Sequence, residues 1–222
     1  KESKSAGNVT DPMALAETFG VDALRYFLMA EVTFGQDGSY SAEALVNKVN
    51  AELANSFGNL AQRTLSMIAK NMDGKLESFS PAADDKTLLA KVSEACAEIL
   101  PREFESLNFS VGIEAWLNAV YACNAYVDEQ APWALKKTDP ERMKAVLQTL
   151  FIAIRDLAIA NQPVVPGKAG AVLDQLGIAG DRRNYADLAD TAWFEGLAAT
   201  GHTIDKPTPV FPRLELVQEE AA

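Results

Sequence analysis

The sequence predicts an all-α fold, an antiparallel helical bundle preceded by a small N-terminal module. Three observations carry this. Apolar residues recur at helical spacing through most of the chain. Acid-plus-proline pairs mark where helices begin. No internal repeat or low-complexity run interrupts the pattern.

Taken in order, Asp11-Pro12 places an N-cap before a proline at the first helical position, and Gly20 ends that short helix. Residues 22–30 read as a second helix with Leu24, Phe27 and Leu28 on one side. Residues 34–40 contain Gly35 and Gly38 and read as a turn. Ser41 then caps a long helix to about residue 68, whose stripe is Leu45, Val49, Leu53, Phe57, Leu60 and Met67. A polar linker with Gly74 and Pro81 follows. Leu88, Leu89, Val92, Cys96, Ile99 and Leu100 form the next stripe, which Pro101 is expected to bend or interrupt.

Ser110 is the expected cap of a helix whose inward face is Ile113, Trp116, Leu117, Val120 and Tyr121. Asp139-Pro140 repeats the cap-plus-proline device before residues 143–161. Pro163 and Pro166 bracket a break, and residues 168–176 form a short helix stopped by Gly177. Residues 178–222 lack periodicity and read as a tail over the bundle, anchored by Trp193, Phe194, Phe211 and Leu214. The expected organisation is therefore a module at 1–41, a bundle at 42–177 and a packed tail at 178–222.

Composition bounds the function. At 222 residues, with 48% hydrophobic and 23% charged residues, the chain suits a soluble globular protein. No apolar run approaches the roughly 20 residues that span a bilayer, and no secretory signal is visible, so a cytoplasmic protein without a membrane partner is expected. Cys96 and Cys123 lack metal-ligand spacing and read as buried, reduced thiols; no metal site is expected. His202, the single histidine, sits in a Gly-Thr-rich segment and reads as a loop residue. The net charge of −11 argues against DNA and against generic nucleic-acid binding, which draws on phosphate counterion release. It leaves open the reading of a few splayed bases by stacking and edge hydrogen bonds.

The opening KESKSAGN interleaves lysines and serines ahead of Gly-Asn. Ammonium groups and hydroxyls in a mobile glycine-bearing loop suit polyphosphate, although a lysine-serine run taken alone is more often a solvated tail. Asn59 and Arg63, four apart, share a helical face away from Leu53, Phe57 and Leu60, and together present several donors and one acceptor. Trp133 follows Pro132 at a helix boundary, where an indole either stacks on a ligand or packs against a neighbouring helix. Arg25 faces an RNA or pairs with an acid; the ion pair is the expected role. Lys136 and Lys137 lie close enough to Trp133 in sequence to add phosphate contacts.

KESKSAGNVTDP resembles the KMSKS signature of class I aminoacyl-tRNA synthetases. Three further segments, DALRYFLMAEVTFGQDGSYS, ANSFGNLAQRT and AYVDEQAPWALKK, with FPRLE near the end, narrow the likeness to the methionyl-tRNA synthetases. The resemblance implies that Lys4, with Lys1 beside it, matches the lysines that meet ATP phosphates, Lys4 stabilising charge as it develops there. Glu2 and Ala6 depart from the family's methionine and leucine. It also implies that Asn59, Arg63 and Trp133 read the anticodon loop of methionine tRNA.

The family's nucleotide-binding domain lies upstream of KMSKS, and the chain has no counterpart to it. The expectation is thus a C-terminal fragment, not itself catalytic, whose partners are that missing domain and the tRNA. Such a fragment needs no cofactor, whereas the full enzyme uses ATP with Mg. Two rivals remain: a soluble helical scaffold without RNA activity, and half of a split enzyme completed through Lys4.

Overall fold

Local signals set the helix starts. Asp11 Oδ1 accepts the Met13 N–H at 2.9 Å with Pro12 in the first turn, which begins α1 (Pro12–Phe19). Gly20, at φ +89°, ends it, and α2 (Val21–Glu31) follows at once. The computed structural model describes residues 11–31, 40–188, 190 and 192–216; the predicted turn around Gly35 and Gly38 lies outside them. Ser41 Oγ accepts the Ala44 N–H at 3.0 Å and caps α3 (Ala42–Val49). That helix runs without a break through a π-helical stretch, Asn50–Gly58, into α4 (Asn59–Asn71).

After the linker come α5 (Ala83–Ser93), a second π-helical stretch (Glu94–Ile99) and α6 (Leu100–Glu105). Then follow α7 (Phe109–Gln130), α8 (Pro132–Thr138), α9 (Pro140–Asn161), α10 (Pro166–Gln175) and α11 (Ala192–Ala199). The described residues contain no strand; one isolated antiparallel bridge pairs Lys75 with Thr203. The fold is an all-α antiparallel bundle.

α9 is its axis. It packs against α4, α5, α7, α8 and α10, and every residue from 146 to 161 is buried. A helix buried on all sides must be apolar on all sides, which explains why 150–160 reads as the longest apolar stretch. Trp116 meets Phe57 edge-to-face at 5.2 Å between ring centroids, and its indole N–H donates to the Leu157 carbonyl at 2.9 Å. Buried Arg155 lies 4.2 Å from the Trp193 ring centroid and donates to Asp156 at 2.7 Å, so this charged pair anchors the tail. Phe194 packs against Phe79 and Phe151.

The last described residues cross back over the bundle as a strap. Side-chain amides hold it in place of a sheet: Gln175 exchanges two hydrogen bonds with the Thr208 backbone, at 2.8 and 3.0 Å. Asn50 does the same with Leu214, at 2.9 and 2.7 Å. A Cβ at Gly58 would stand 3.0 Å from the Phe211 Cβ, so a side chain there would require the strap to give by a few tenths of an ångström.

Several expectations are corrected. Leu28 and Tyr121 are exposed at 48% and 46%. Each lies about 40° past the edge of its helix's buried arc, which Leu24 and Leu117 respectively mark. Pro101 does not break its helix. The preceding stretch is π-helical, with the Leu100 N–H reaching the Ala95 carbonyl, which absorbs the ring that an α-turn would reject. α7 starts at Phe109, one residue before Ser110, with Asn108 rather than Ser110 at its N-cap.

Among the described residues Arg25 pairs with no acid; it donates to the carbonyls of Pro163 and Val164 (3.1 Å for the latter), while Asp22 accepts the Lys168 N–H at 2.6 Å. Two residues of α2 thus staple the turn between α9 and α10. The helix before Gly177 begins at Pro166 rather than 168, and α11 gives the supposedly irregular tail a helix of its own.

Candidate nucleic-acid interface

At one end of the bundle the chain leaves α7 through Ala131, whose φ of +45° and ψ of +58° are left-handed. For a residue with a Cβ this conformation costs about 1–2 kcal/mol. The Ala131 N–H still closes α7 by donating to the Val127 carbonyl at 3.0 Å, and its own carbonyl accepts the N–H groups of Ala134 and Leu135. Pro132 enters α8 at a position that needs no N–H and is itself buried. The sharp reversal turns Trp133 outward, leaving it 51% exposed.

Arg63 of α4 brings its guanidinium carbon to 5.7 Å from the Trp133 ring centroid, within cation–π range. Its Nη2 lies 3.6 Å from Asp128 Oδ1, a loose pair in which both side chains are well exposed. Asn59, also exposed, sits one turn before Arg63. Its amide donates to the Asn55 carbonyl at 3.0 Å, and among the described residues nothing donates to its Oδ1. Lys136 and Lys137 are exposed in the last turn of α8. The three residues thus present an open aromatic face, a guanidinium with spare N–H groups and an amide acceptor. Stacking on an unpaired base needs that openness. A cavity of about 600 Å³ lies between α1, α2, α10 and the strap and is lined by none of the three.

Beneath α8 lies a second, closed arrangement. Asp85 has no exposed side-chain surface and takes two hydrogen bonds from Arg142, both 2.7 Å, with a further bond from the Tyr126 hydroxyl and one from the Ala82 N–H at 2.8 Å. Burial pushes the Asp85 carboxyl up, but the bonds from Arg142, Tyr126 and Ala82 outweigh it and hold it below the usual carboxylate range. Arg142 also donates to Gln130 Oε1 at 2.8 Å.

Other candidates offer little chemistry. Burial raises the thiols of Cys96 and Cys123, the latter to about 12, so neither is a ready nucleophile near neutral pH. His202 approaches the Leu176 carbonyl at 2.9 Å in the strap's approach loop. Among the described residues there is no cluster of three or more His, Cys, Asp or Glu suited to a metal, and no helix is long and apolar enough to cross a membrane. Lys1, Ser3, Lys4 and Ser5, with Glu2 and Ala6, fall outside the described residues. Sequence reasoning did not find Asp128, Ala131, Asp85 or Arg142. The Asp139-Pro140 cap was the one readable sign that α8 ends there, and nothing marks alanine for a left-handed turn.

Comparison with known proteins fits this architecture. Residues 1–65 match the model described as tRNA synthetases class I (M), and residues 77–221 match that of the anticodon binding domain of methionyl tRNA ligase. Helical fold and matched models together define a portion of a class I aminoacyl-tRNA synthetase. A methionine–tRNA ligase of Brucella suis biovar 1 is 45% identical over 223 residues, 99% of this chain and 42% of that protein. One from Mycobacterium leprae is 40% identical over 226 residues, covering 100% of this chain and 41% of its own. A crystal structure of Mycobacterium tuberculosis methionyl-tRNA synthetase bound by methionyl-adenylate superposes with a TM-score of 0.88 at 41% identity, over 96% of this chain and 42% of that one. The chain belongs to the methionyl-tRNA ligase family and contains its anticodon-binding domain. It spans about two-fifths of the length of the curated relatives it matches.

Proposed function

We propose that this chain recognises the anticodon loop of methionine tRNA through Trp133, Arg63 and Asn59. Trp133 stacks an unpaired base, while Arg63 and Asn59 address base edges. The observation that carries the reading is the half-exposed indole with the Arg63 guanidinium 5.7 Å from its centroid, on a protein whose matched domain is anticodon-binding. A net charge of −11 leaves little long-range attraction for phosphate, so binding by this chain is weak and falls steeply with salt. Lys136 and Lys137 supply local phosphate contacts.

A whole ligase containing this chain attaches methionine to its tRNA in the cytoplasm, using ATP with magnesium. Lys4 and Lys1 match in sequence the lysines of the family's loop that meets the ATP phosphates, and the division into a module at 1–41, a bundle at 42–177 and a tail at 178–222 belongs to the same reading. The chain by itself is a recognition unit rather than a catalyst.

A low-salt titration with a methionine tRNA anticodon stem-loop tests the proposal. Trp133→Ala, Arg63→Ala and an altered anticodon each weaken binding relative to the unchanged pair. Equal, feeble binding by all of them favours a scaffold without RNA activity, the reading that the acidic net charge supports.

A further inference from the structure

Trp133 rides on an excursion of the chain that leaves the bundle at Gln130, the last residue of α7, and rejoins it at Arg142, in the first turn of α9. Everything between is α8 and its two junctions. The first junction is the left-handed Ala131, a conformation that the residue does not favour and that the surroundings must impose. The second is the Asp139-Pro140 cap, where Asp139 Oδ1 accepts the Arg142 N–H at 3.0 Å. The two ends are tied directly, Arg142 Nη2 donating to Gln130 Oε1 at 2.8 Å. The same guanidinium grips Asp85 with two bonds and lies 3.4 Å from the Tyr126 hydroxyl, one turn before Gln130. Asp85 is anchored in its turn as the third residue of α5, its carboxylate taking the Ala82 N–H. Among the described residues none of the hydrogen bonds of this network reaches Trp133; they fall at the two ends of its support.

We infer that Arg142, held by Asp85 and Tyr126 and bonded across to Gln130, is a positioning residue for Trp133: it keeps the α8 excursion closed at its base so that the indole stands beside Arg63. The role in recognition rests on the anticodon reading above; the structural role does not. A guanidinium is required, because a planar fork satisfies a carboxylate with two parallel bonds and still has an N–H for Gln130, whereas an ammonium is a single point charge. Asp85 and Tyr126 are buried and the Arg142 side chain is only 20% exposed, so the network has little freedom to settle elsewhere, and the strained Ala131 is held by it.

The test reads the indole directly. In ¹⁵N-labelled protein the three tryptophan Nε1–H signals are separated, and that of Trp133 is assigned by its loss in Trp133→Phe. Arg142→Gln is expected to shift or broaden the Trp133 signal while those of Trp116 and Trp193 stay in place, and to weaken the anticodon stem-loop about tenfold, within the loss from removing a stacking ring. Arg142→Lys falls between. Gln130→Ala gives the same selective perturbation in smaller measure, and Gln130→Glu, which keeps an acceptor for Arg142 but sets a carboxylate against Asp84, the present acceptor of the Gln130 amide at 3.4 Å, gives a smaller perturbation than Gln130→Ala.

A general loss of stability would move all three indoles together. A folded Arg142→Gln protein with an unmoved Trp133 signal overturns the inference; if that variant does not fold, an unmoved signal in Gln130→Ala does so instead. Wild-type protein that binds no stem-loop, alongside a selectively shifted Trp133 in the variants, sinks the anticodon reading and leaves the positioning role standing.

Discussion

The bundle contains the same three kinds of side chain, arginine, aspartate and an aromatic ring, assembled twice within one corner. In the first set, Asp85, Arg142 and Tyr126, the carboxylate is fully buried and receives two guanidinium bonds of 2.7 Å. In the second, Asp128, Arg63 and Trp133, the carboxylate is 69% exposed, the arginine 47% exposed, and their separation is 3.6 Å. Chemistry does not distinguish the sets; saturation and burial do. The closed set has spent its donors on the protein and acts on stability. The open set keeps an aromatic face and N–H groups for something outside the protein.

The sharpest way to break this contrast is to remove each acid. Asp85→Ala strands the largely buried Arg142 and is expected to cost about 3–5 kcal/mol in urea unfolding. A loss below about 1 kcal/mol would dissolve the distinction. The same pair gives a pH signature. Because the folded protein holds the Asp85 carboxyl below its usual range, that stabilisation is intact above about pH 4 and is lost as the pH falls through the depressed value. The stability gap between wild type and Asp85→Asn therefore narrows on acidification below pH 4, followed by thermal melts; a constant gap contradicts it.

The rings give the next effect. Trp133→Ala is expected to change stability by no more than about 0.5 kcal/mol while costing about 1–3 kcal/mol in stem-loop affinity. Trp116→Ala, which empties the core beside Phe57, costs about 3–5 kcal/mol of stability. Parallel losses of stability in the two variants would place Trp133 with the core. The smallest effect belongs to Asp128→Asn, which removes an exposed pair worth about 0.2–1 kcal/mol, a loss that shrinks further when salt is raised in the melts.

Much of the architecture was legible because local rules produce it. Asp11-Pro12, Ser41 and Asp139-Pro140 all cap helices as their residue types demand. The stripe from Leu45 to Leu60 is buried. What could not be read depends on neighbours distant in sequence. Leu28 and Tyr121 fit their stripes, but the width of a buried arc is set by what packs against it. Arg25 found backbone carbonyls rather than a carboxylate because the turn after α9 presents two of them. Pro101 is tolerated since the helix before it has changed its turn.

The site divides the same way. The roles of Asn59, Arg63 and Trp133 came from resemblance, and the helical face that Asn59 and Arg63 share came from spacing. The approach of Arg63 to Trp133 joins α4 to α8 across 70 residues, and no periodicity reports it.

The π-helical stretch ahead of Asn59 has a consequence for how such chains tolerate change. There the Asn59 N–H reaches back five residues, to the Ala54 carbonyl. A turn closed over five residues takes about one residue more than an α turn. Deleting one residue between 50 and 58 would therefore let the segment relax to α geometry with the helix beyond it close to its former phase, so Arg63 would still face the indole. The same deletion between 59 and 62, in regular α-helix, would swing Arg63 by about 100° around the axis. The stretch from 50 to 58 is thus where this long helix can absorb a change of length.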